Sequence, residues 1–286
     1  MPNAIHVRLD IAGCAVRLVC RDERLGRKAR ACFAAAQPLR RNRCFFRALP
    51  RRAFITLEVH SRASARRAGL RVVAAPGGSR QALQFLDGAD EYSALFDFNS
   101  CRGKAVLTGS APMPALANLL RRIAGGAFIG RRGAVFHCAC VVRPEGACLL
   151  FGKSGAGKST ACTLSGGDFI ASDDLTFVRM LGRKVLAWGL PAWDAAAAAP
   201  RRLSNGPFRV AAAFKLVKDR RIYAKPLAPA EAVAALLVFP SDLRDAGQAG
   251  KIVDLVAGMV HNIPCLELHF RKDRAFWDEI DARYQQ

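Results

Sequence analysis

Gly152-Lys153-Ser154-Gly155-Ala156-Gly157-Lys158-Ser159 is the stretch on which the reading of this chain turns. It follows the pattern G-x-x-x-x-G-K-[ST], in which each residue type has a mechanical task. Gly152, Gly155 and Gly157 let the backbone fold around a phosphate with its N–H groups turned inward. Lys158 can reach β- and γ-phosphates, and the Ser159 hydroxyl suits Mg²⁺. The expected phosphate cradle is therefore Gly152, Lys153, Ser154, Gly155, Ala156, Gly157, Lys158, Ser159 and Thr160. The flanks agree. Ala147-Cys148-Leu149-Leu150-Phe151 enters as a buried strand would, and Ser159 to Leu164 leaves as a helix whose N-terminus points at the anion.

Composition bounds what can surround this loop. The chain has 286 residues, 51% of them hydrophobic, enough for one large domain or two modest ones with a real core. No run reaches the roughly 18 apolar residues of a membrane span. The longest candidate, Ala228 to Pro240, is short and carries Glu231. The N-terminus lacks the charged-then-apolar order of a signal peptide, so a cytoplasmic location is expected. The ten cysteines are scattered without a C-x-x-C pair, which removes spacing support for zinc and suggests reduced core thiols. The net charge of +21 comes mostly from dispersed arginines, with pairs such as Arg40-Arg41, Arg51-Arg52, Arg121-Arg122 and Arg201-Arg202. A polyanionic partner, such as an acidic peptide, is one reading; a solvated basic surface is the plainer one and is favoured. No zinc-finger, RRM or basic-zipper pattern supports nucleic acid.

The first half reads as α+β. Ala4 to Asp10 and Gly13 to Cys20 suggest a hairpin, Arg27 to Ala36 a short helix, and Phe54 to Val59, Leu70 to Ala75 and Lys104 to Thr108 strands. Pro76 to Ser79 is a turn. Leu116, Leu119, Leu120 and Ile123 form one helical face, which Gly125-Gly126 is expected to close. A boundary near Arg131-Arg132-Gly133 separates an N-terminal α+β domain, 1–130, from a P-loop domain, 131–286. In the second half, Ala134 to Val142 reads as one strand, with Val135, His137, Ala139 and Val141 on one face. Leu175 to Met180 and Val185 to Trp188 form a hairpin turned at Leu181-Gly182. Ala195 to Pro200 is a loop or short helix. Lys251 to His261 and Asp273 to Tyr284 are helices, and Cys265 to Phe270 is a strand.

The neighbours of the loop decide its chemistry. Ser172-Asp173-Asp174 ends the short apolar strand Phe169-Ile170-Ala171, where a P-loop protein needs a Mg²⁺-binding carboxylate. Two adjacent carboxylates can divide the work: one holds Mg²⁺, the other accepts the proton of an attacking hydroxyl. Ser159 and Asp173 are the expected metal ligands. Leu164-Ser165-Gly166-Gly167 spells the start of the ABC-transporter signature, but it begins 164 − 158 = 6 residues after Lys158, too near the loop to serve as one.

With these residues in place, Gly133 to Met180 resembles the catalytic core of the HPr kinase/phosphorylase family. That family pairs a histidine on the strand before the P-loop with a G-x-S-G-x-G-K-S loop and a short strand ending in two acids. Here His137 precedes Lys158 by 158 − 137 = 21 positions, and Asp173 follows it by 173 − 158 = 15, a spacing shortened by the Gly166-Gly167 break. The Gly189-Leu190-Pro191 turn and the 208–229 stretch look more like HPr-kinase-like proteins of peptide-maturation gene clusters. The resemblance implies a mixed-sheet α/β fold of the HPr-kinase C-terminal, phosphoenolpyruvate-carboxykinase-like type. It implies an ATP- and Mg²⁺-dependent kinase acting on serine of a peptide or small protein, with an oligomer compatible. An acid of the pair, Asp174 or Asp173, would be the base. His137 would orient it, and Lys158 would stabilise the γ-phosphoryl group. A small-molecule kinase and a nucleotide-gated peptide-binding module without transfer are the alternatives. Arg201-Arg202 reads as a solvated loop pair, with γ-phosphate contact as its other reading.

Overall fold

The computed structural model describes residues 4–11, 14–34, 54–61, 80–87, 90–108, 112–129, 132–166, 169–189, 206–238 and 246–284. Two compact units part between Ala127 and Phe128. The expectations for Leu70 to Ala75, Pro76 to Ser79, Leu190-Pro191, the Ala195 to Pro200 run and Arg201-Arg202 lie outside the described residues.

The first unit is built on a six-stranded mixed sheet. Its strands are β1 (Ile5–Ile11), β2 (Cys14–Cys20), β3 (Phe54–Ser61), β4 (Arg80–Asp87), β5 (Asp90–Asp97) and β6 (Arg102–Leu107), in the order β1-β2-β3-β6-β5-β4. β2–β3 and β3–β6 run parallel; the other pairs are antiparallel. The period-two pattern of a one-sided sheet is plain in the first strands. Val7, Leu9 and Ile11 are buried, as are Val16, Leu18 and Cys20, whereas Arg8 and Arg17 are exposed. Helix α1 (Glu23–Ala34) starts four residues earlier than Arg27, because the Asp22 carboxylate accepts the Leu25 N–H at 2.8 Å and caps it. The hairpin β4–β5 had no counterpart in the sequence reading.

Helix α2 (Pro112–Ile129) corrects a second expectation, since it runs straight through Gly125-Gly126. A Cβ at Gly126 would lie 2.5 Å from the Phe98 ring. The glycine is there for close approach, and glycine's modest helix penalty does not end a helix whose apolar face is already buried.

The second unit carries the P-loop. Its strands are β7 (Gly133–Phe136), β8 (Cys138–Arg143), β9 (Gly146–Phe151), β10 (Phe169–Ser172), β11 (Thr176–Leu181), β12 (Lys184–Gly189), β13 (Phe208–Lys218), β14 (Tyr223–Pro226) and β15 (Cys265–Phe270). The path is β10-β8-β9-β13-β12-β11-β7, with β15 added to β13 and β14 to β15. Its helices are α3 (Lys158–Thr163), α4 (Pro229–Leu237), α5 (Ala246–Asn262) and α6 (Phe276–Tyr284).

The central strands are apolar runs because both of their faces are covered. Leu149, Phe151, Cys138, Cys140 and Ala213 belong to a core shared with β11, β12, α4 and α5, including Val178, Ala187, Leu236 and Val256. Their neighbours Cys148, Leu150, Ala139, Val141 and Phe214 belong to a second core with α3 and α6, including Ala161, Cys162, Phe276 and Trp277. Cys138, Cys140, Cys148, Cys162 and Cys265 are buried thiols outside any disulfide, in keeping with core cysteines. Burial pushes the Cys265 thiol up to about 11.

Candidate functional site

The strand expected from Ala134 to Val142 is broken at His137. Phe136 pairs with Thr176 of β11, whereas Cys138 pairs with Phe151 of β9. The chain changes partner strands at His137, which stands outside both ladders. Its side chain is 48% exposed, unlike the buried Phe136 and Cys138 on either side. The expected shared face holds for Ala139 and Val141 but not for the histidine.

The P-loop follows directly from this pairing. Phe151 ends β9, and residues 152–157 turn before α3 begins at Lys158. The Ala156 N–H donates to the Lys153 carbonyl at 3.0 Å and tightens the turn. Gly157 has φ 109°, in the left-handed region, and a Cβ there would come 2.6 Å from Cζ of Phe270. Glycine is required on both grounds. Helix α3 is short, as the spacing suggested. It ends at Thr163, and the Ser165 hydroxyl donates to the Cys162 carbonyl at 2.7 Å.

Lys158 is 7% exposed. Its Nζ donates to the Gly152 carbonyl at 3.0 Å, and it has no carboxylate partner among the described residues. An ammonium carries three donors, so this cation is buried with most of its hydrogen-bonding capacity unspent. Buried charge without a counter-charge is costly, and such a group is matched to an anion. Lys153, Ser154, Gly155 and Ser159 are exposed, and Gly152 is buried beneath them; Ala156, Gly157 and Thr160 are half-buried.

β10 brings the acidic pair to the same end of the sheet. It is antiparallel to β8, which is antiparallel to β9, so β10 and β9 point the same way. The Ser172 hydroxyl donates to the Leu175 carbonyl at 2.6 Å and receives the Asp174 N–H at 3.4 Å, forming the turn that holds Asp173 and Asp174. The Thr176 hydroxyl then donates to the Cys138 carbonyl at 2.8 Å, tying the turn to the residue opposite Phe151. Asp173 and Asp174 are exposed, and Asp174 Oδ1 lies 3.1 Å from His137 Nε2. The Cys138 thiol registers both halves of the site. Burial pushes it up to about 12; the Thr176 hydrogen bond and the Lys158 charge oppose that rise, and Asp174 adds to it.

Among the described residues no group of three or more His, Cys, Asp or Glu is arranged to hold a metal. Mg²⁺ takes one or two protein oxygens and completes its shell from phosphates and water. Ser159 and Asp173 supply oxygen donors of that kind. The sequence reading assigned no role to Lys218-Asp219 or to Phe270-Arg271-Lys272. These line a cavity of about 320 Å³ that continues from Gly157 and Thr160. The available signal was polar residues ending two apolar strands parallel to β9.

The second unit is thus a mixed-sheet α/β structure with a P-loop sequence at a strand–helix junction. No family model matches the chain, and no curated protein does. One solved structure it is similar to is the Hpr(Ser) kinase/phosphatase from Coxiella burnetii. The identity is 13%, with 53% of this chain and 99% of that chain covered at a TM-score of 0.32. Values this low assign neither an activity nor the role of any residue.

Proposed function

We propose that this protein is a P-loop kinase that transfers the γ-phosphoryl group of ATP to a hydroxyl, a serine of a peptide or small protein. The buried Lys158, matched to no carboxylate among the described residues, carries the reading. Such a cation within a P-loop sequence is suited to polyphosphate.

In this reading the acceptor oxygen attacks the γ-phosphorus, the bond to the ADP oxygen breaks, and ADP leaves with the electron pair. The Asp174 carboxylate takes the acceptor's proton. Its 60% exposure leaves it open to an incoming hydroxyl, and His137 at 3.1 Å orients it. Lys158 draws charge from the transferring group. Ser159 and Asp173 would hold Mg²⁺, which neutralises phosphate charge when bound. The first unit, with its arginine pairs, is proposed to bind the acceptor, and the protein to work in the cytoplasm. No helix of the described residues is long and apolar enough to cross a membrane.

Incubation with γ-labelled ATP and candidate acceptors tests this directly. Label on a peptide serine is the expected result. Label on a metabolite would favour a small-molecule kinase, and nucleotide binding without transfer a binding module. Lys158→Ala is expected to lower turnover at least ~10²–10³-fold, with loss of nucleotide binding. Asp174→Asn is expected to keep binding and lose ~10²–10⁴-fold in transfer. Wild-type turnover in Asp174→Asn would move the base to Asp173.

A further inference from the structure

Both described helices of the first unit lie on one side of its sheet. Gly26 of α1 packs against the Ile5 side chain. The Tyr92 hydroxyl donates to Asn118 Oδ1 of α2 at 3.2 Å and accepts from Arg122 Nη1 at 3.1 Å. Ile5, Leu18, Leu57, Ala105 and Tyr92 share that side, and strand alternation sends their neighbours to the other. There the register sets Arg8 opposite Arg17, Arg17 opposite Thr56 and Thr56 opposite Arg102, one row across β1, β2, β3 and β6. The next row runs His6, Val19, Glu58 and Lys104. Arg8, Arg17, Arg102 and Lys104 are exposed.

The acids on this side are already engaged. Glu58 meets Arg21 at 2.8 Å, His60 at 3.1 Å and Lys104 at 3.8 Å. Asp97, opposite Arg102, accepts the Asn99 and Ser100 N–H groups at 2.9 and 3.3 Å and holds its own turn. Arg8, Arg17 and Arg102 make no ion pair with the described residues. Arg8 and Arg17 also stand directly opposite each other, and like charges so placed destabilise a strand pair. Folding gains nothing from that arrangement, whereas an anion laid over the row relieves it. With strands about 4.8 Å apart, Arg8 to Arg102 spans roughly 14 Å. Acids at positions i, i+2 and i+4 of an extended peptide point one way and span about 13–14 Å.

The rest of the face favours a peptide over a nucleic acid. Single-stranded nucleic acid is held by stacking bases on aromatic rings, and His6 is the one exposed ring in these two rows. Glu58, in the middle of the second row, would also repel a phosphodiester chain. We propose that this open face binds an extended acidic peptide segment running across β1, β2, β3 and β6, with alternate carboxylates on Arg8, Arg17 and Arg102. The segment is the docking part of the phosphate acceptor. That role rests on the kinase reading above, whereas the binding itself does not.

Fluorescence anisotropy of the full chain with a labelled peptide of ten residues, alternating glutamate and serine, tests the assignment. Arg8→Gln/Arg17→Gln/Arg102→Gln is expected to bind it about tenfold more weakly than the wild type, the scale of three surface ion pairs, and Arg17→Gln alone about two- to threefold. The difference should shrink as salt is raised. The melting temperature of both variants is expected to hold or rise, because the opposed like charges are gone. Arg183→Gln/Arg220→Gln/Lys251→Gln removes the same charge from exposed positions of the second unit and should bind as the wild type does. A wild type that fails to bind the peptide, no loss in the first variant, or an equal loss in the second-unit variant would overturn the assignment. So would tighter wild-type binding of a uridine decamer than of the peptide. Label from γ-labelled ATP on the peptide's serines reads the kinase proposal separately: a peptide that binds through the three arginines but takes no label upholds the docking face and counts against transfer.

Discussion

Among the described residues of the second unit, His137 and His269 each stand against carboxylates, and the two settings differ in almost every physical respect. His137 meets Asp174 through one contact at 3.1 Å, with the two side chains 48% and 60% exposed. His269 lies between Asp219 and Glu267 at 2.8 Å each, with its side chain only 12% exposed. Glu267 also pairs with Lys215 at 2.6 Å and Lys225 at 2.9 Å. The first pair has open positions on both partners and stands where the chain switches strands. The second is saturated: both ring nitrogens are engaged and one ring face is covered by Tyr223. A group that must take up and release a proton needs an open position. A group that only fixes a neighbour needs none. His137–Asp174 suits reaction, and the His269 cluster suits support.

Three experiments can break or sharpen this contrast. The largest effect is expected in turnover. His137→Gln should reduce phosphoryl transfer roughly ten- to a hundredfold by loosening Asp174. Its melting temperature should barely change, since exposed substitutions move stability by about 0.5 kcal/mol or less. A melting-temperature drop without a kinetic effect would reverse the roles of the two pairs.

His269→Ala should act the other way, costing about 1–3 kcal/mol because it strips a partner from both carboxylates. Chemical denaturation of the second unit's core, followed by Trp188 or Trp277 fluorescence, would read it; both residues are buried. Unchanged stability would show that the cluster is not a support.

The smallest effect concerns pH. The hydrogen bond from Lys215, with further help from Lys225 and His269, lowers the Glu267 carboxyl from 4.5 to about 2 despite some burial. Its pKa is depressed in the folded state. The stability it supplies is therefore full above the unfolded value and fades as pH falls through 4.5 toward about 2. The stability gap between wild type and Glu267→Gln should accordingly narrow across that window. A gap that stays constant down to pH ~2 would contradict the linkage.

Much of the second unit was legible because local patterns dictate it. The P-loop needs glycines at fixed positions, the strand before it is a plain apolar run, and the strand delivering Asp173-Asp174 is short and apolar. The hairpin β11–β12 and the helices α5 and α6 were visible in the same way. Two misreadings have one cause. His137 looked like a strand residue, and Gly125-Gly126 like a helix end, because composition shows propensity and not partners. Strand pairing broke the first, and packing against Phe98 carried the helix through the second. The β4–β5 hairpin and the short strand β14 went unread, since their residues lack the apolar density of the central strands.

By itself, the sequence determined the loop 152–159, the two acids at 173 and 174, the α/β character and the thiols of the core. Each of these depends on residues near one another in the chain. Tertiary structure alone decided that Lys158 is buried without an acidic partner among the described residues and that His137 turns outward to meet Asp174. It also decided that Lys218-Asp219 and Arg271-Lys272 share a cavity with Gly157 and Thr160. The physical reason is the parallel pairing of β9, β13 and β15. It brings to one edge segments separated by more than a hundred residues, and no local spacing encodes that register.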